Sequence, residues 1–254
     1  MELEGRVAVI TGAASGMGRA MAELFTTEGA MVVAADWHQE SLDAAVAEIA
    51  ATGAKIVGVQ GDVSKQDQAE AFVDKAVEAF GRLDILCNNA GVMDTNMGVG
   101  ELTNEMWERV LGIDLNGPMF CSRRAVPVML GQGGGVILNT ASIAGLGGAA
   151  AGAAYTAAKH GLIGLTENTA WRYALEGIRC NAIAAGAVQT NIQQSVDVNT
   201  MDPGGSARAQ TYYALIPAQL EAVDIANLAL FLVSDRARYI NGATVVADGG
   251  WRAA

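Results

Sequence analysis

Residues 7–18 read VAVITGAASGMG. The apolar run at 7–11 is typical of a buried strand, and a helical pattern follows the glycines. Glycines between a strand and a helix let the backbone approach a phosphate group at the helix N-terminus, where free N–H groups and the helix dipole favour an anion. A tight turn also needs glycine, but in this strand–loop–helix order the glycines favour a phosphate-binding loop. The candidate contact residues are Gly12, Ser15, Gly16, Met17 and Gly18.

Beyond this loop, short apolar runs alternate with amphipathic segments along the chain. The alternation predicts βαβ units, in which parallel strands form one sheet and helices cover both faces. The predicted strands are 7–11, 31–36, 55–62, 83–88, 135–141, 178–185 and 243–247. The predicted helices are 17–28, 40–53, 66–80, 103–130, 152–175 and 222–233. We therefore expect a doubly wound α/β fold, with residues 1–254 forming a single domain.

Residues 191–216, NIQQSVDVNTMDPGGSARAQTYYALI, interrupt this alternation. The stretch is polar and contains Pro203, Gly204 and Gly205. In a compact domain, an irregular insert of this length is usually a mobile lid or a binding loop. We expect it to be the substrate lid.

The composition restricts the classes of partner. With 16 Lys and Arg against 27 Asp and Glu, the formal net charge is −11. Such a surface repels nucleic acid and anionic membranes, so we expect neither as a partner. The three cysteines form no C-x-x-C pair, which predicts reduced thiols in a cytoplasmic protein and no metal site. No signal peptide is expected from the short apolar run at the N-terminus, and the stretch at 136–155 is a poor membrane span.

An acid follows the phosphate loop at an informative distance. Asp36 ends the second predicted strand, 18 residues after Gly18. A carboxylate at this position accepts hydrogen bonds from both hydroxyls of an adenosine ribose and repels a 2′-phosphate, so NAD is favoured over NADP. The neighbours Trp37 and His38 include no Arg or Lys that could hold that phosphate. The alternative interpretation is a surface acid at a strand end.

A second group of residues is suited to proton transfer. Tyr155 and Lys159 are four residues apart in GAAYTAAKHG, which places them on one face of a helix. Lowering the pKa of a Tyr by about three units requires about 4 kcal/mol of preferential stabilisation of the phenolate. An adjacent ammonium and a cationic nicotinamide could supply it, and Tyr155 would then exchange a proton with an alcohol or carbonyl. Ser142, at the end of the fifth predicted strand, would donate a hydrogen bond to the reacting oxygen.

Five motifs in this order resemble the short-chain dehydrogenase/reductase family. They are TGAASGMG, NNAG at 88–91, Ser142 thirteen residues before Tyr155, YTAAK, and DGG at 248–250. The resemblance implies a single-domain Rossmann fold with a seven-stranded parallel sheet, and a homo-oligomer, tetramer or dimer, formed through the long helices. It also implies Ser142, Tyr155 and Lys159 as the catalytic group, with Tyr155 and Lys159 contacting the cofactor.

The resemblance assigns further cofactor contacts. Asp62 and Val63 match the residues on the adenine side, and Val188 and Thr190 match those that hold the nicotinamide carboxamide. A third stretch, which passes beneath the cofactor, is matched by Asn89, Ala90 and Gly91. For Asn89 a structural bond between strands is an equally good interpretation, and both stay open.

The sequence departs from the family pattern at two places. Ala185–Gly186 replaces the usual Pro–Gly before the nicotinamide contacts, at the cost of some rigidity. In IDLNGPMF, Asp114 stands where many members have an Asn that helps hold a water beside the Lys. Asn116 lies about 200° further round a regular helix and cannot substitute. The charge of Asp114 would oppose that of Lys159, so we expect a higher pH optimum for oxidation.

The leading hypothesis is an NAD-dependent dehydrogenase that converts a secondary alcohol into a ketone. Met93, Gly147, Gly148 and the lid would shape the substrate pocket, together with Ser142 and Tyr155. Two alternatives stay open. One is a reductase of 3-oxoacyl-[acyl-carrier-protein] thioesters, which Asp36 argues against because biosynthetic reductases usually use NADPH. The other is a dinucleotide-binding protein without catalysis, for which Asp114 is the only support.

Overall fold

The computed structural model describes residues 1–253, and its centre is one parallel sheet of seven strands. The strands are β1 Val7–Thr11, β2 Met31–Asp36, β3 Ile56–Gln60, β4 Ile85–Asn88, β5 Gly135–Ser142, β6 Ile178–Ala185 and β7 Thr244–Ala247. Their order across the sheet is β3-β2-β1-β4-β5-β6-β7, and every pairing is parallel. The predicted α/β class and doubly wound sheet are confirmed.

Within the described residues, eight α-helices connect or flank the strands. They are α1 Gly16–Thr27, α2 Gln39–Ala50, α3 Gln66–Phe80, α4 Asn104–Leu111, α5 Gly117–Gly131, α6 Ala153–Tyr173, α7 Pro203–Tyr213 and α8 Ala222–Val233. Successive residues of β1 point to opposite faces of the sheet. Ala8 and Ile10 pack with α1, α2 and α8, whereas Val7 and Val9 pack with α3 and α5. Both faces are therefore covered, which explains why the strands are apolar along their whole length.

The strand order reverses beside β1, which lies between β2 and β4. In such sheets the crevice outside the carboxyl ends of the strands, at the point of reversal, is where ligands bind. The phosphate loop follows β1, Asp36 ends β2, and Asn89 follows β4. Ser142 ends β5. The fold thus brings residues far apart in sequence to one edge of the sheet.

Two parts of the chain differ from the sequence-based prediction. The helix expected at 103–130 is two helices, α4 and α5, joined by a π-helical turn at Gly112–Asn116. Pro118 has no N–H to donate to the carbonyl of residue 114, so a regular α-helix cannot continue there. Residues 191–216 are more ordered than a loop, because they contain α7 and two short 3-10 helices. Asp202 caps α7 by accepting a hydrogen bond from the N–H of Gly205.

Candidate active site

A single cavity of about 1170 Å³ follows the carboxyl edge of the sheet. It extends from the phosphate loop past Asp36 and Asp62 at one end to Tyr155 and the 191–195 segment at the other. We call these the phosphate end and the chemical end. Most of the predicted contact residues line this cavity, and the exceptions are Gly18, which lies beneath the loop, Gly147 and Gly148.

The phosphate end is built from backbone. Gly16 begins α1 with a φ of +54°, a left-handed conformation that favours glycine. A Cβ on Gly18 would overlap the carbonyl oxygen of Gly12, so only glycine lets α1 pack this closely against the end of β1. The Ser15 side chain makes no capping bond to α1, and the first turn contains no acid. The N–H groups of that turn are therefore available to an anion.

Asp36 lies beside this loop. Its Oδ2 accepts a hydrogen bond from the N–H of Ala14 at 3.0 Å, and its Oδ1 accepts one from the N–H of His38 at 3.0 Å. These bonds fix the carboxylate and leave a lone pair on each oxygen for the hydroxyls of a ribose. Among the lining residues, Arg109 and Lys159 are the Arg and Lys side chains, and both lie at the chemical end.

The neighbouring acid Asp62 is held similarly. Its Oδ1 accepts a hydrogen bond from the N–H of Ser64 at 2.8 Å, and its own N–H donates to Gln68 at 2.8 Å. Val63 is buried and packs against Gly117. Asp62 lines the cavity, where its carboxylate can accept a hydrogen bond from an amino group.

Asn89 connects three strands. Its Nδ2 donates to the carbonyl oxygen of Thr11 at 3.0 Å, and its Oδ1 accepts from Thr140 at 3.3 Å. Its side chain is therefore a structural bond between β1 and β5, which was one of the two open interpretations. It also lines the cavity with Ala90 and Gly91, so the two interpretations are compatible.

The β6–lid connection crosses the cavity. Thr190 lies against the phosphate loop, since a Cβ on Gly16 would be 3.1 Å from the Thr190 Cβ. Val188 pairs with Leu220 in an isolated parallel β-bridge, which ties this segment to the residues just before α8. Ala185–Gly186 leads into this segment, and a Cβ on Gly186 would be 2.6 Å from the Cβ of Asp248. Position 186 therefore requires glycine, although Ala185 replaces the proline that usually precedes it in the family.

The predicted proton-transfer residues come together at the chemical end. Tyr155 and Lys159 lie one turn apart on α6, and the Nζ of Lys159 is 5.3 Å from the centre of the Tyr155 ring. The Lys159 ammonium donates to the carbonyl oxygen of Thr140 at 3.0 Å. The Ser142 hydroxyl reaches Tyr155 and also accepts a hydrogen bond from the N–H of Ala144 at 3.1 Å.

Asp114 is fully buried next to Lys159. Its Oδ1 is 2.9 Å from the Lys159 Nζ, and its Oδ2 accepts a hydrogen bond from the N–H of Val92 at 3.1 Å. The contact with Lys159 is an ion pair without good hydrogen-bond direction, because Oδ1 lacks a well-aligned donor. A Cβ on Gly91 would be 2.7 Å from this oxygen, so glycine at 91 makes room for the pair. Asn116, in contrast, is exposed and cannot replace Asp114.

The pKa values at this end reflect burial and these charges. Burial raises the pKa of Asp114, and the ammonium of Lys159 opposes the increase. Burial alone would lower the pKa of Lys159, but the charges of Asp114 and Tyr155 outweigh it and raise the pKa.

The same influences act on the phenol. Burial raises the pKa of Tyr155, Lys159 and Ser142 oppose this, and Asp114 adds to the increase. The expected lowering of this pKa is therefore not produced by the side chains alone.

The chain is similar to known proteins over nearly its whole length. The family model described as Enoyl-(Acyl carrier protein) reductase matches residues 12–252. The chain is 45% identical to 3beta-hydroxysteroid dehydrogenase 2 of Eggerthella lenta over 252 residues, covering 99% of this chain and 96% of that protein. It is 40% identical to the Asnovolin H dehydrogenase of Aspergillus novofumigatus over 256 residues, covering 96% of each. The chain belongs to the short-chain dehydrogenase/reductase family.

The fold of a solved family member is the same. The crystal structure of levodione reductase superposes with a TM-score of 0.90 at 36% identity, covering 99% of each chain. As a short-chain dehydrogenase/reductase, the protein is an oxidoreductase that uses a nicotinamide dinucleotide, NAD or NADP. The residues present fit such a group, because the glycine cradle and the free N–H groups of α1 suit a pyrophosphate and Asp36 suits a ribose.

The chemical end of the cavity is bordered by the 191–216 segment and by Trp251. Met93, a predicted contact, donates its N–H to the Ser195 hydroxyl at 3.1 Å. Ser195 is held in turn by Arg109, which donates to its carbonyl oxygen at 2.9 Å. Gly148, also a predicted contact, and its neighbour Gly147 are exposed and lie outside the cavity.

Several lining residues were not predicted individually from the sequence, although three of them belong to the 191–216 segment that was predicted to shape the pocket. Apolar and aromatic side chains complete the wall: Ile143, Ile192, Tyr213, Ile216 and Trp251. Trp251 stacks on Tyr212 with ring centres 4.7 Å apart, which places the C-terminal segment on the lid of its own chain. The motif DGG at 248–250 indicated that residues next to Trp251 are functional. The stacking of Trp251 on Tyr212, however, cannot be predicted from local sequence.

Three further observations concern metal ligands, membrane spans and cysteines. Within residues 1–253, no group of three His, Cys, Asp or Glu residues could hold a metal ion. No helix in the described part of the chain is long and apolar enough to cross a membrane. The three cysteines are buried and unpaired, and burial raises the pKa of Cys121 and Cys180 to about 12, so these thiols are unreactive.

Proposed function

We propose that the protein is an NAD-dependent dehydrogenase that interconverts a secondary alcohol and a ketone. One observation carries the proposal: the cavity that contains the phosphate loop and Asp36 also contains Ser142, Tyr155 and Lys159. A dinucleotide that spans the cavity from the loop would bring its reactive ring to the phenol of Tyr155.

The side chains have distinct roles in this mechanism. Tyr155 accepts the hydroxyl proton of the alcohol during oxidation and returns it to the carbonyl oxygen during reduction. Ser142 donates a hydrogen bond to the reacting oxygen and so holds the substrate at the phenol. Lys159 stabilises the phenolate through its charge. When bound, NAD supplies the acceptor for the hydride from the substrate carbon.

The charges at the phosphate end support NAD over NADP. The N–H of Ala14 holds the carboxylate of Asp36 at this end of the cavity. In this proposal a 2′-phosphate on the ribose would lie beside that carboxylate, and the repulsion between the two like charges would cost several kcal/mol. Trp37 beside it is 72% exposed, so it can serve as an aromatic contact for the adenine. Asp62 and Val63 would complete the adenine side, and Val188 and Thr190 the nicotinamide side.

We further propose that the substrate is an apolar alicyclic alcohol. The wall formed by Ile143, Ile192, Tyr213, Ile216 and Trp251 suits a ring system better than a sugar. The 3beta-hydroxysteroid dehydrogenase relative makes a steroid alcohol the first candidate. We place the protein in the cytoplasm as a homo-oligomer, dimer or tetramer, on the basis of its family resemblance.

Cofactor reduction by a panel of alcohols tests the proposal. The panel contains a 3β-hydroxysteroid, a cyclohexanol, a sugar alcohol and a 3-hydroxyacyl thioester, each with NAD and with NADP. We expect absorbance of NADH with the steroid or the cyclohexanol and little signal with NADP. Activity restricted to the thioester would favour the alternative of a 3-oxoacyl-[acyl-carrier-protein] reductase, because oxidation of a 3-hydroxyacyl group gives a 3-oxoacyl group. If NAD binds but no alcohol or ketone reacts, the protein is a dinucleotide-binding protein without this catalysis.

A further inference from the structure

A second buried carboxylate lies near the reacting phenol. Asp94 is in the loop that follows β4 and is 2% exposed. Its Oδ1 accepts hydrogen bonds from the N–H of Gly152 at 2.9 Å and of Asn96 at 3.2 Å. Its Oδ2 accepts a hydrogen bond from the N–H of Tyr155 at 3.0 Å. No sequence motif singled out this residue, because its three partners are all backbone groups.

These bonds cap the helix that carries the phenol. The first N–H groups of a helix have no partner within the helix and are usually satisfied by a side chain at the N-cap. Helix α6 has Gly152 at this position, which offers no side chain. Asp94 replaces it from another part of the chain and binds both the N-cap N–H and that of Tyr155, three residues later. The carbonyl of Met97 accepts the N–H of Ala153 between them at 2.9 Å.

The contact leaves no room for an internal cap. A Cβ on Gly152 would be 2.6 Å from one oxygen of Asp94 and 2.8 Å from the other. Glycine at 152 and aspartate at 94 are therefore matched to each other. A serine or aspartate at 152, the usual N-cap residues, would displace the carboxylate that holds Tyr155.

We propose that Asp94 is a positioning residue, which fixes the start of α6 and thereby the place of the Tyr155 phenol. The inference rests on the proposed function, since it concerns the residue that transfers the proton. Tyr155 is the one member of the catalytic group whose own backbone N–H is held by a buried charge from another segment. Displacement of a reacting group by about 1 Å can cost about a hundredfold in rate.

The same loop connects the phenol to the lid. The carbonyl of Thr95 accepts a hydrogen bond from the N–H of Asp202, at the start of α7, at 2.9 Å. The side chain of Asn96 lies within 3.4 Å of Ser206 and 3.5 Å of Tyr213, both on α7. Residues 94–97 thus contact the lid on one side and the N-terminus of α6 on the other. A substrate that changes the position of the lid would therefore also move residues 94–97, which position Tyr155.

The charge of Asp94 gives the proposal a signature in the pH dependence. The groups that face Tyr155 are Lys159 on α6, Asp114 on the π-helical turn, Ser142 at the end of β5 and Asp94. Arg109 on α4 faces Asp114, and Tyr213 on α7 faces Asp94. Asp94 raises the pKa of Tyr155, and removing its charge lowers that pKa. A purely structural cap would change stability without moving the pH profile.

The variant Asp94→Asn tests the inference. The amide keeps the size of the carboxylate but has an NH2 group in place of one oxygen. It therefore loses either the bond from Tyr155 or those from Gly152 and Asn96. We expect kcat for oxidation to fall about ten- to a hundredfold. The KM for NAD should stay within about twofold, because the phosphate end is untouched. The acid limb of kcat/KM should move to lower pH.

Asp84→Asn is the matched control. Asp84 is 3% exposed and accepts a hydrogen bond from the N–H of Val7, but it lies at the opposite end of the sheet. We expect it to lower the thermal midpoint and to leave kcat and the pH profile unchanged. The proposal is overturned if Asp94→Asn keeps the natural kcat and pH profile, or if both variants lose activity equally. Asp94→Ser, which retains an acceptor for one N–H, gives the same comparison should the amide variant not fold.

The outcomes separate this inference from the proposed function. If the natural protein forms no NADH with any alcohol, the proposed function fails. The positioning role is then judged by ultraviolet titration of the phenols, with Tyr155→Phe identifying the signal of Tyr155. A lower titration midpoint in Asp94→Asn than in the natural protein supports the inference without catalysis. An unchanged midpoint contradicts it.

Discussion

The two ends of the cavity recognise charge by different means. The phosphate end uses backbone N–H groups, close-packed glycines and two partly exposed acids, Asp36 and Asp62. The chemical end uses buried ionisable side chains, Tyr155, Lys159 and Asp114, which come from distant segments. The partial charges of backbone dipoles do not change with pH, whereas buried ionisable side chains shift one another's pKa. The phosphate end should therefore bind a ligand over a wide pH range, and the chemical end should respond to pH.

The largest effect is expected at the chemical end. Tyr155→Phe removes the group that transfers the proton, and positioned general acids and bases contribute about 10²- to 10⁴-fold. We expect a loss of kcat of about 10³-fold, measured as NADH formation, while NADH still binds. Tyr173→Phe on the same helix is the control and should retain full activity. If Tyr155→Phe keeps more than about a tenth of the activity, another group transfers the proton.

At the phosphate end, charge should determine the choice of cofactor. In Asp36→Asn the repulsion of a 2′-phosphate is removed, and like-charge contacts cost several kcal/mol. The ratio of kcat/KM for NAD to that for NADP should fall by about a hundredfold. Asp43→Asn, an exposed acid on α2 that contacts Gln39, serves as the control and should not change the ratio. An unchanged ratio in Asp36→Asn would show that another feature selects the cofactor.

A smaller effect should follow from the glycine packing. In Gly18→Ala the added methyl group overlaps the carbonyl of Gly12 and the amide of Asn89, so α1 must move from the sheet. Overpacking of this kind costs about 1–3 kcal/mol, and we expect a lower thermal midpoint and a roughly tenfold weaker binding of NADH. Gly100→Ala adds a methyl group where no atom lies within 4 Å and should leave both quantities unchanged. Normal NADH binding by Gly18→Ala would contradict the close-packing argument.

The two ends also differ in what the sequence reveals. The phosphate loop, Asp36 and the positions of the strands follow from local patterns, because glycine spacing and apolar runs are read within a few residues. The order of the strands across the sheet was not predicted, since it depends on contacts between distant segments. Ser142, Tyr155 and Lys159 were found through their spacing, but Asp94 was missed because it binds only backbone groups across 58 and 61 residues. The π-helical turn before Pro118 was missed for a similar reason, since helical periodicity alone does not mark it. Helix α7 was missed because its composition is polar and rich in glycine.

The effect of Asp114 is the smallest expected change and the closest test of the chemical end. Its charge raises the pKa of Tyr155, and oxidation needs the deprotonated phenol, so activity should rise with pH until Tyr155 has lost its proton. Asp114→Asn removes the charge, lowers this pKa and thus moves the acid limb to lower pH. Asp84→Asn, another buried acid at the far end of the sheet, is the control.

The most direct measurement is the pH dependence of kcat/KM for alcohol oxidation in the natural protein and in Asp114→Asn. We predict that the acid limb of the Asp114→Asn profile lies at lower pH than that of the natural protein, because the charge of Asp114 no longer raises the pKa of Tyr155. An identical profile, or a shift to higher pH, would contradict the account that buried charges beside Lys159 control proton transfer by Tyr155.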